Sequence, residues 1–322
     1  MKVLVNGWFA RQLHTGSGQY LAGLSAWLPA ATAGRAYEWV LARPQNAAGS
    51  PVSVPAGWRE LVLTSPFDAA SENLAKLWFE QIAFPAACSR LQADLALVPY
   101  WGSPLWCPCP IVVTVHDLIP RLLPLYRGGW LQRAYTGLVS ASARRANAVL
   151  TDSAASRQDL IRHLKIAPGK VRAIHLAVDP AYRPVHDVAE LQRVRARYHL
   201  PQAPFLLYLG GFDARKNVQR VLEAYAALRG SLGNAGAGIP LLAIAGQLPA
   251  RHTALTPDPR PLVTRLGLQS AVHFTGWVDE ADKPALYTLA TAALFVSEYE
   301  GFGLPLLEAQ ACGCPAITSG PA

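Results

Sequence analysis

Short continuous apolar runs alternate along the chain with longer stretches of helical periodicity. Val3–Val5, Tyr37–Ala42, Leu61–Thr64, Asp94–Val98, Ile111–Val115, Ala148–Thr151 and Val171–His175 read as strands, and the unbroken Ile111–Val115 run is typical of a parallel strand covered on both faces. Between them, Tyr20, Leu21, Leu24, Trp27 and Leu28 share one helical face. Glu72–Phe84 reads as a helix burying Leu74, Leu77, Trp78 and Ile82, Leu131–Asn147 as another, and Ser153 caps one running to Leu164. The pattern then restarts. Strands are predicted at Phe205–Leu209, Leu241–Ala245, Val272–Thr275, Ala293–Val296 and Ala316–Thr318, with helices at Val188–Tyr198 and from the Asn217 turn to Leu228, and a Gly/Ala/Ser loop at Gly230–Gly238.

Strand–helix alternation of this kind predicts an α/β protein with two doubly wound, Rossmann-like halves and a cleft between them. The Asp179–Pro184 stretch reads as a linker, giving domains 1–184 and 185–322. The 322-residue length suits two domains, and 51% hydrophobic against 16% charged residues is enough for two cores. A net charge of +8 favours anionic partners: nucleotide phosphates, acidic headgroups or nucleic acid. The denser basic groups, Arg144-Arg145 and Arg193, Arg195 and Arg197, read as solvated helix faces, and no nucleic-acid recognition motif accompanies them.

Met1–Asn6 reads as part of the first strand and not as a secretory leader, and no stretch of about 18 apolar residues predicts a membrane span. Five cysteines include the C-x-C pairs Cys107/Cys109 and Cys312/Cys314, which lack the C-x-x-C spacing of zinc sites, so reduced thiols in the cytoplasm and no metal centre are expected.

The most informative stretch is Ser297–Glu308. It follows an apolar strand and leads into a helix with Pro305 near its start, while Gly301 and Gly303 permit close backbone approach. The helix N-terminus offers amides and a positive dipole end to an anion. Glu300 and Glu308, with seven residues between them, stand on the loop and about one turn into the helix, where both are expected to face one cleft. Amides for phosphates and carboxylates for hydroxyls suit a sugar diphosphate. The run Glu-Gly-Phe-Gly-Leu-Pro-Leu-Leu-Glu resembles the Glu-x7-Glu motif of retaining glycosyltransferases of family 4, which have the GT-B fold.

Gly210-Gly211 and Arg215-Lys216 form a second strand–loop–helix, with two adjacent cations. By the resemblance, Arg215 and Lys216 hold the donor diphosphate, where fixed cations stabilise the leaving group's growing charge at about 1.5–3 kcal/mol per charge-assisted bond. The same resemblance implies that Glu308 accepts from the ribose hydroxyls and that Glu300 contacts the donor sugar. Amides around Phe302, Gly303 and Leu304 would take phosphate oxygens, and Trp277-Val278 would support the base. Gly16 and Gly18 match an N-terminal glycine loop near the donor phosphates, although Leu21 replaces the last glycine of a dinucleotide fingerprint. His116, after the Ile111–Val115 strand, matches the family's N-domain histidine and would orient the transferring sugar. Asp-x-Asp, the metal–diphosphate signature of the other main glycosyltransferase fold, occurs nowhere, so no metal cofactor is expected.

The wording Val113-Thr114-Val115-His116-Asp117-Leu118-Ile119-Pro120 further resembles bacterial mannosyltransferases that build O-antigen polysaccharides. The resemblance implies mannose transfer from GDP-mannose to a growing glycan on a lipid carrier, by an enzyme in the cytoplasm with peripheral contact to anionic membrane and no nucleic acid partner. Alternatives are a UDP-sugar transferase of the same fold and a nucleotide-binding pseudoenzyme. The second half shows five strand candidates where a Rossmann-like half has six, so its C-terminal end is expected to be truncated.

Overall fold

A computed structural model describes residues 1–13, 15–45, 54, 56–231 and 238–320, which leaves positions 232–237 of the expected Gly230–Gly238 loop outside the described residues. The chain divides into two compact units, Met1–His175 and Leu176–Ala322. The division falls before the Asp179–Pro184 stretch, whose Tyr182 is buried in the second unit's core and hydrogen-bonds Glu280.

In the first unit, β1 (Lys2–Asn6), β2 (Glu38–Pro44), β3 (Arg59–Leu63), β4 (Leu95–Val98), β5 (Ile111–Thr114), β6 (Ala148–Thr151) and β7 (Val171–Ala173) form one sheet. Its order is β3-β2-β1-β4-β5-β6-β7, every pair parallel, with Val3 opposite Leu95 and Trp39 and Val113 opposite Val149. The continuous apolar runs are explained by coverage on both faces: Leu4, Val98, Val113 and Val149 are all fully buried. The helices are α1 (Gly16–Ala31), α2 (Glu72–Trp78), α3 (Phe84–Leu91), α4 (Ile119–Leu122), α5 (Trp130–Arg145) and α6 (Ala154–Leu164). Ser153 caps α6 as expected, accepting from the Ser156 amide.

Two helical expectations need correction. Trp27 does not join the buried face of α1; it is exposed, whereas Leu21 of the same expected face is buried, together with Ser25. Leu74 and Ile82 are also exposed, and the buried positions are Ala75, Phe79, Glu80 and Phe84. A π-helical segment, Phe79–Ala83, lies between α2 and α3. Its extra residue rotates the inward phase beyond Phe79, so that Phe84 and not Ile82 turns inward, whereas Leu74 precedes it and is displaced by Ala75, one turn before Phe79.

In the second unit, β8 (Phe205–Leu209), β9 (Leu241–Ala245), β10 (Val272–Gly276), β11 (Ala292–Phe295) and β12 (Ala316–Thr318) form a second parallel sheet in the order β10-β9-β8-β11-β12. α7 (Val188–Arg197), α8 (Val218–Ser231), α9 (Arg260–Arg265), α10 (Lys283–Leu289) and α11 (Leu304–Ala311) accompany it. The basic face of α7 is more than a solvated surface, because Arg193 and Arg197 both pair with the buried Asp282. The C-terminal ends of three neighbouring strands are tied together: the Gly210 amide donates to Ala245 O at 3.0 Å and the Gly246 amide to Gly276 O at 2.9 Å. A Cβ on Gly246, at φ +150°, would lie 2.1 Å from Gly210 O, so only glycine fits there. No helix among the described residues is long and apolar enough to cross a membrane.

Candidate donor and acceptor sites

In parallel sheets, ligands bind outside the carboxyl ends of the strands, where loops converge. At that edge of the second sheet, two loops meet. One follows β8 and carries a 3-10 turn, Ala214–Lys216, capped by Asp213, with Asn217 in the left-handed conformation at φ 63°. The other follows β11 and runs through Ser297–Gly303. The Glu298 amide donates to Arg215 O at 2.7 Å, and Asn217 Nδ2 donates to Val296 O at 3.3 Å.

These backbone ties bring the predicted cations and one predicted carboxylate together. Arg215 Nη1 lies 2.7 Å from Glu300 Oε2, and Lys216 Nζ lies 2.5 Å from Glu300 Oε1. Ser297 Oγ donates to Glu300 at 2.8 Å, Arg215 Nη1 also donates to Tyr299 O at 3.2 Å, and Lys216 sits 5.3 Å from the Phe295 ring centroid. Burial pushes the Glu300 carboxyl up, but Lys216 and Arg215 together outweigh it and hold the group below its ordinary range. One carboxylate thus bridges two cations at a strand-end edge and leaves the trio with a net positive charge.

Glu308 lies elsewhere on α11 and has different partners. It is buried, accepts from Tyr287 Oη at 3.3 Å, and lies near Tyr182, Glu280 and Lys283. Burial raises its pKa; Lys283 opposes that rise and Glu280 adds to it. Gly303, at φ 95°, turns the chain into α11, which begins at Leu304 with Pro305 in its first turn. Gly301 and Phe302 are half-buried on the same loop. The Gly210 amide is bonded to β9, Gly211 gives its carbonyl to Tyr208 Oη at 2.7 Å, and Val278 is core while Trp277 is exposed.

In the first unit, His116 follows β5 and Asp152 follows β6, two adjacent strands. His116 Nδ1 lies 2.7 Å from Asp152 Oδ2, and Asp152 is buried. The Tyr20 ring packs edge-on against the imidazole at 4.8 Å between centroids, and Ser156 Oγ donates to His116 O. Nε2 of His116 is buried with no hydrogen-bond partner among the described residues. A carboxylate on Nδ1 fixes the ring and leaves Nε2 for a ligand. Sequence reasoning missed Asp152 and Tyr20. Asp152 carried a usable signal, an acidic residue directly after an apolar strand.

The expected glycine loop forms the start of a helix. Gly16 and Gly18 lie in the first turn of α1, after the Thr15 cap whose Oγ1 accepts from the Gly18 amide at 3.1 Å. A Cβ on Gly18 would lie 2.1 Å from Gln12 O, so packing of the preceding loop accounts for this glycine.

Two parallel α/β units with their loops at the carboxyl ends of the strands are the parts of a GT-B architecture. Residues 16–182 match Glycosyltransferase Family 4 and residues 193–321 match Glycosyl transferases group 1. The chain belongs to glycosyltransferase family 4.

Among its relatives, O-antigen chain mannosyltransferase B of Escherichia coli is 31% identical over 208 residues, covering 65% of this chain and 52% of the relative. The serotype-specific mannosyltransferase WbdA of Escherichia coli is 32% identical over 215 residues, covering 66% of this chain and 25% of the relative. The chain therefore spans about half the length of the first and a quarter of the second. Among solved structures, sucrose-phosphate synthase from Thermosynechococcus elongatus superposes with a TM-score of 0.76 at 21% identity, over 99% of this chain and 81% of that one. Anabaena HepE in complex with UDP and glucose superposes at 0.71 and 17% identity, over 100% and 81%.

Proposed function

We propose that this chain is a retaining hexosyltransferase that moves mannose from GDP-mannose to a growing, lipid-linked glycan. The observation that carries the reading is the Arg215–Glu300–Lys216 cluster at the carboxyl edge of the second sheet. Arg215 and Lys216 meet the donor diphosphate and stabilise the charge that builds as the nucleotide leaves, without a divalent metal. Glu300, released from them, accepts from the sugar hydroxyls. Glu308 takes the ribose hydroxyls, the backbone of Gly301–Leu304 faces the phosphates, and the exposed Trp277 supports the base. His116, steadied by Asp152, presents Nε2 to the transferring sugar. The mannose and glycan assignments draw their support from the two Escherichia coli relatives, both named as mannosyltransferases.

Contact with anionic membrane from the cytoplasmic side is part of the same reading. Its support is an exposed stretch in which Leu125, Trp130 and Leu131 alternate with Arg127 and Arg133. A UDP-sugar donor is the second reading, favoured by the UDP and glucose held in the HepE structure. Released nucleotide, measured with GDP-mannose and with UDP-sugars against a lipid-linked glycan acceptor, tests both. Transfer from GDP-mannose alone supports the first reading, and transfer from UDP-sugars alone replaces it with the second. Donor hydrolysis and transfer both absent, with nucleotide still bound, would make the chain a nucleotide-binding protein instead.

A further inference from the structure

The sequence places Cys107 and Cys109 on either side of Pro108 in the loop between β4 and β5, and the fold brings a third cysteine to them. Cys88, fully buried on α3, joins the half-buried Cys107 and Cys109 so that the three sulfurs all lie within 4.8 Å of one another. The Cys107 and Cys109 sulfurs are 3.7 Å apart. Around a tetrahedral zinc with Zn–S of about 2.3 Å, neighbouring sulfurs stand roughly 3.8 Å apart. The C-x-C spacing is therefore no bar to a metal site, because the missing ligand comes from a distant helix and not from the Cys312/Cys314 pair.

We propose that Cys88, Cys107 and Cys109 form a three-thiolate site for a zinc-class divalent cation, with water completing the coordination on the exposed side. A disulfide would use two of the sulfurs and leave the third idle, whereas all three converge here. Pro108 and Pro110 are exposed, so this rim of the cluster is open to solvent. Binding one cation releases a proton from each thiol still protonated, so affinity rises with pH.

The cluster lies at the amino-terminal edge of the first sheet, just before β5, while His116 follows the carboxyl end of that strand. Its effect is to pin the last turn of α3 to the start of β5. The loop thus held is 99–110, whose opening residues Tyr100 and Trp101 pack on the first unit's core. The site would serve stability, not group transfer.

The test uses the full chain, purified reduced, stripped with a chelator and titrated with Zn²⁺ against a chromophoric chelator. A parallel Cd²⁺ titration follows sulfur-to-metal charge transfer in the ultraviolet, whose intensity counts thiolates. One cation per chain, three thiolates and a higher melting temperature on loading are expected. Cys107→Ser and Cys109→Ser should each weaken binding by more than roughly 100-fold, the upper end of what losing an outer partner costs. Cys312→Ser, in the other unit, should leave stoichiometry and affinity unchanged. Both exposed-side variants avoid replacing the buried Cys88, and melting curves of the stripped proteins report their folding. Absence of binding, binding that survives Cys107→Ser and Cys109→Ser, or a Cys88 disulfide that persists in reducing buffer would each overturn the proposal.

Discussion

The guanidinium of Arg215 and the carboxylate of Glu300 are paired at 2.7 Å, with side chains only 18% and 12% exposed. Lys216 takes the other carboxylate oxygen, so an incoming diphosphate must compete with Glu300 for both cations. Glu300→Ala should therefore leave GDP affinity unchanged or tighter while turnover falls. Arg215→Ala should weaken GDP binding by about 10- to 100-fold, which corresponds to the roughly 1.5–3 kcal/mol of a charge-assisted hydrogen bond. Calorimetry on the two variants decides, and equal losses of GDP affinity would show that the roles are not separate.

Glu308 poses a different expectation because its partners are Tyr287 and Tyr182, not the cation pair. If its carboxylate accepts from ribose hydroxyls, Glu308→Ala and Glu308→Gln should both weaken GDP, the second without loss of the Tyr287 contact. Burial raises this carboxyl's pKa, so the charged form is lost at a higher pH than for an ordinary glutamate. GDP affinity of the parent chain should then begin to fall early on acidification, and that early fall should vanish in Glu308→Gln. A pH series of binding isotherms reads both effects.

Asp152 holds His116 through Nδ1. Asp152→Asn keeps the size of the side chain but removes the charge that orients the ring. Turnover should fall by about 10- to 100-fold, the scale of losing an orienting partner. GDP affinity should not change, since the proposed nucleotide contacts lie in the other unit. A parallel loss of GDP binding would place the effect in folding and not in sugar orientation.

The missing Asp-x-Asp and the Arg215–Lys216 pair together lead to the expectation that turnover needs no added magnesium or manganese. Initial rates should be the same in brief excess EDTA as with either ion. The Cys107→Ser, Cys109→Ser double variant should respond identically, which separates the thiol cluster from donor chemistry. Complete loss in EDTA, restored by magnesium or manganese in both proteins, would count against it.

The strands were legible because a parallel strand covered on both faces leaves an unbroken apolar run, as at β5 and β8. The strand-end loops were legible too, since Gly, Pro and paired charges mark where such runs stop. What lay hidden was anything set by a distant partner. Asp152 beside His116 and Asp282 beside Arg193 and Arg197 depend on crossovers that local pattern does not encode. Cys88 was invisible as a partner of Cys107 and Cys109 for the same reason. Ile82, beyond α2, was misread because a π-helical turn shifts the phase after Phe79, and Glu80 is buried within that turn.

Glu80 leads to a prediction about stability. It is fully buried, accepts from Tyr135 Oη at 2.9 and 3.0 Å, and lies 3.7 Å from Lys76 Nζ. Lys76 is itself held over the Phe9, Tyr100 and Tyr135 rings. Burial raises the carboxyl from 4.5 to about 7, against the opposing pull of Lys76, Tyr135 and Tyr100. A carboxyl raised on folding binds more protons in the folded than in the unfolded chain between those two values. Its contribution is therefore fully present below the unfolded value and is lost as pH rises through the folded one. At 1.36 kcal/mol per pH unit the loss amounts to about 3 kcal/mol. The first unit's melting temperature should accordingly drop by several degrees between pH values just below 4.5 and just above 7. Glu80→Gln keeps an acceptor for Tyr135 but does not titrate, so this part of the drop should disappear. Lys76→Met removes the facing cation and should make the parent's drop larger. Melting curves of the three proteins across the window read the effect, and an equal pH dependence in Glu80→Gln and the parent would assign it to another group.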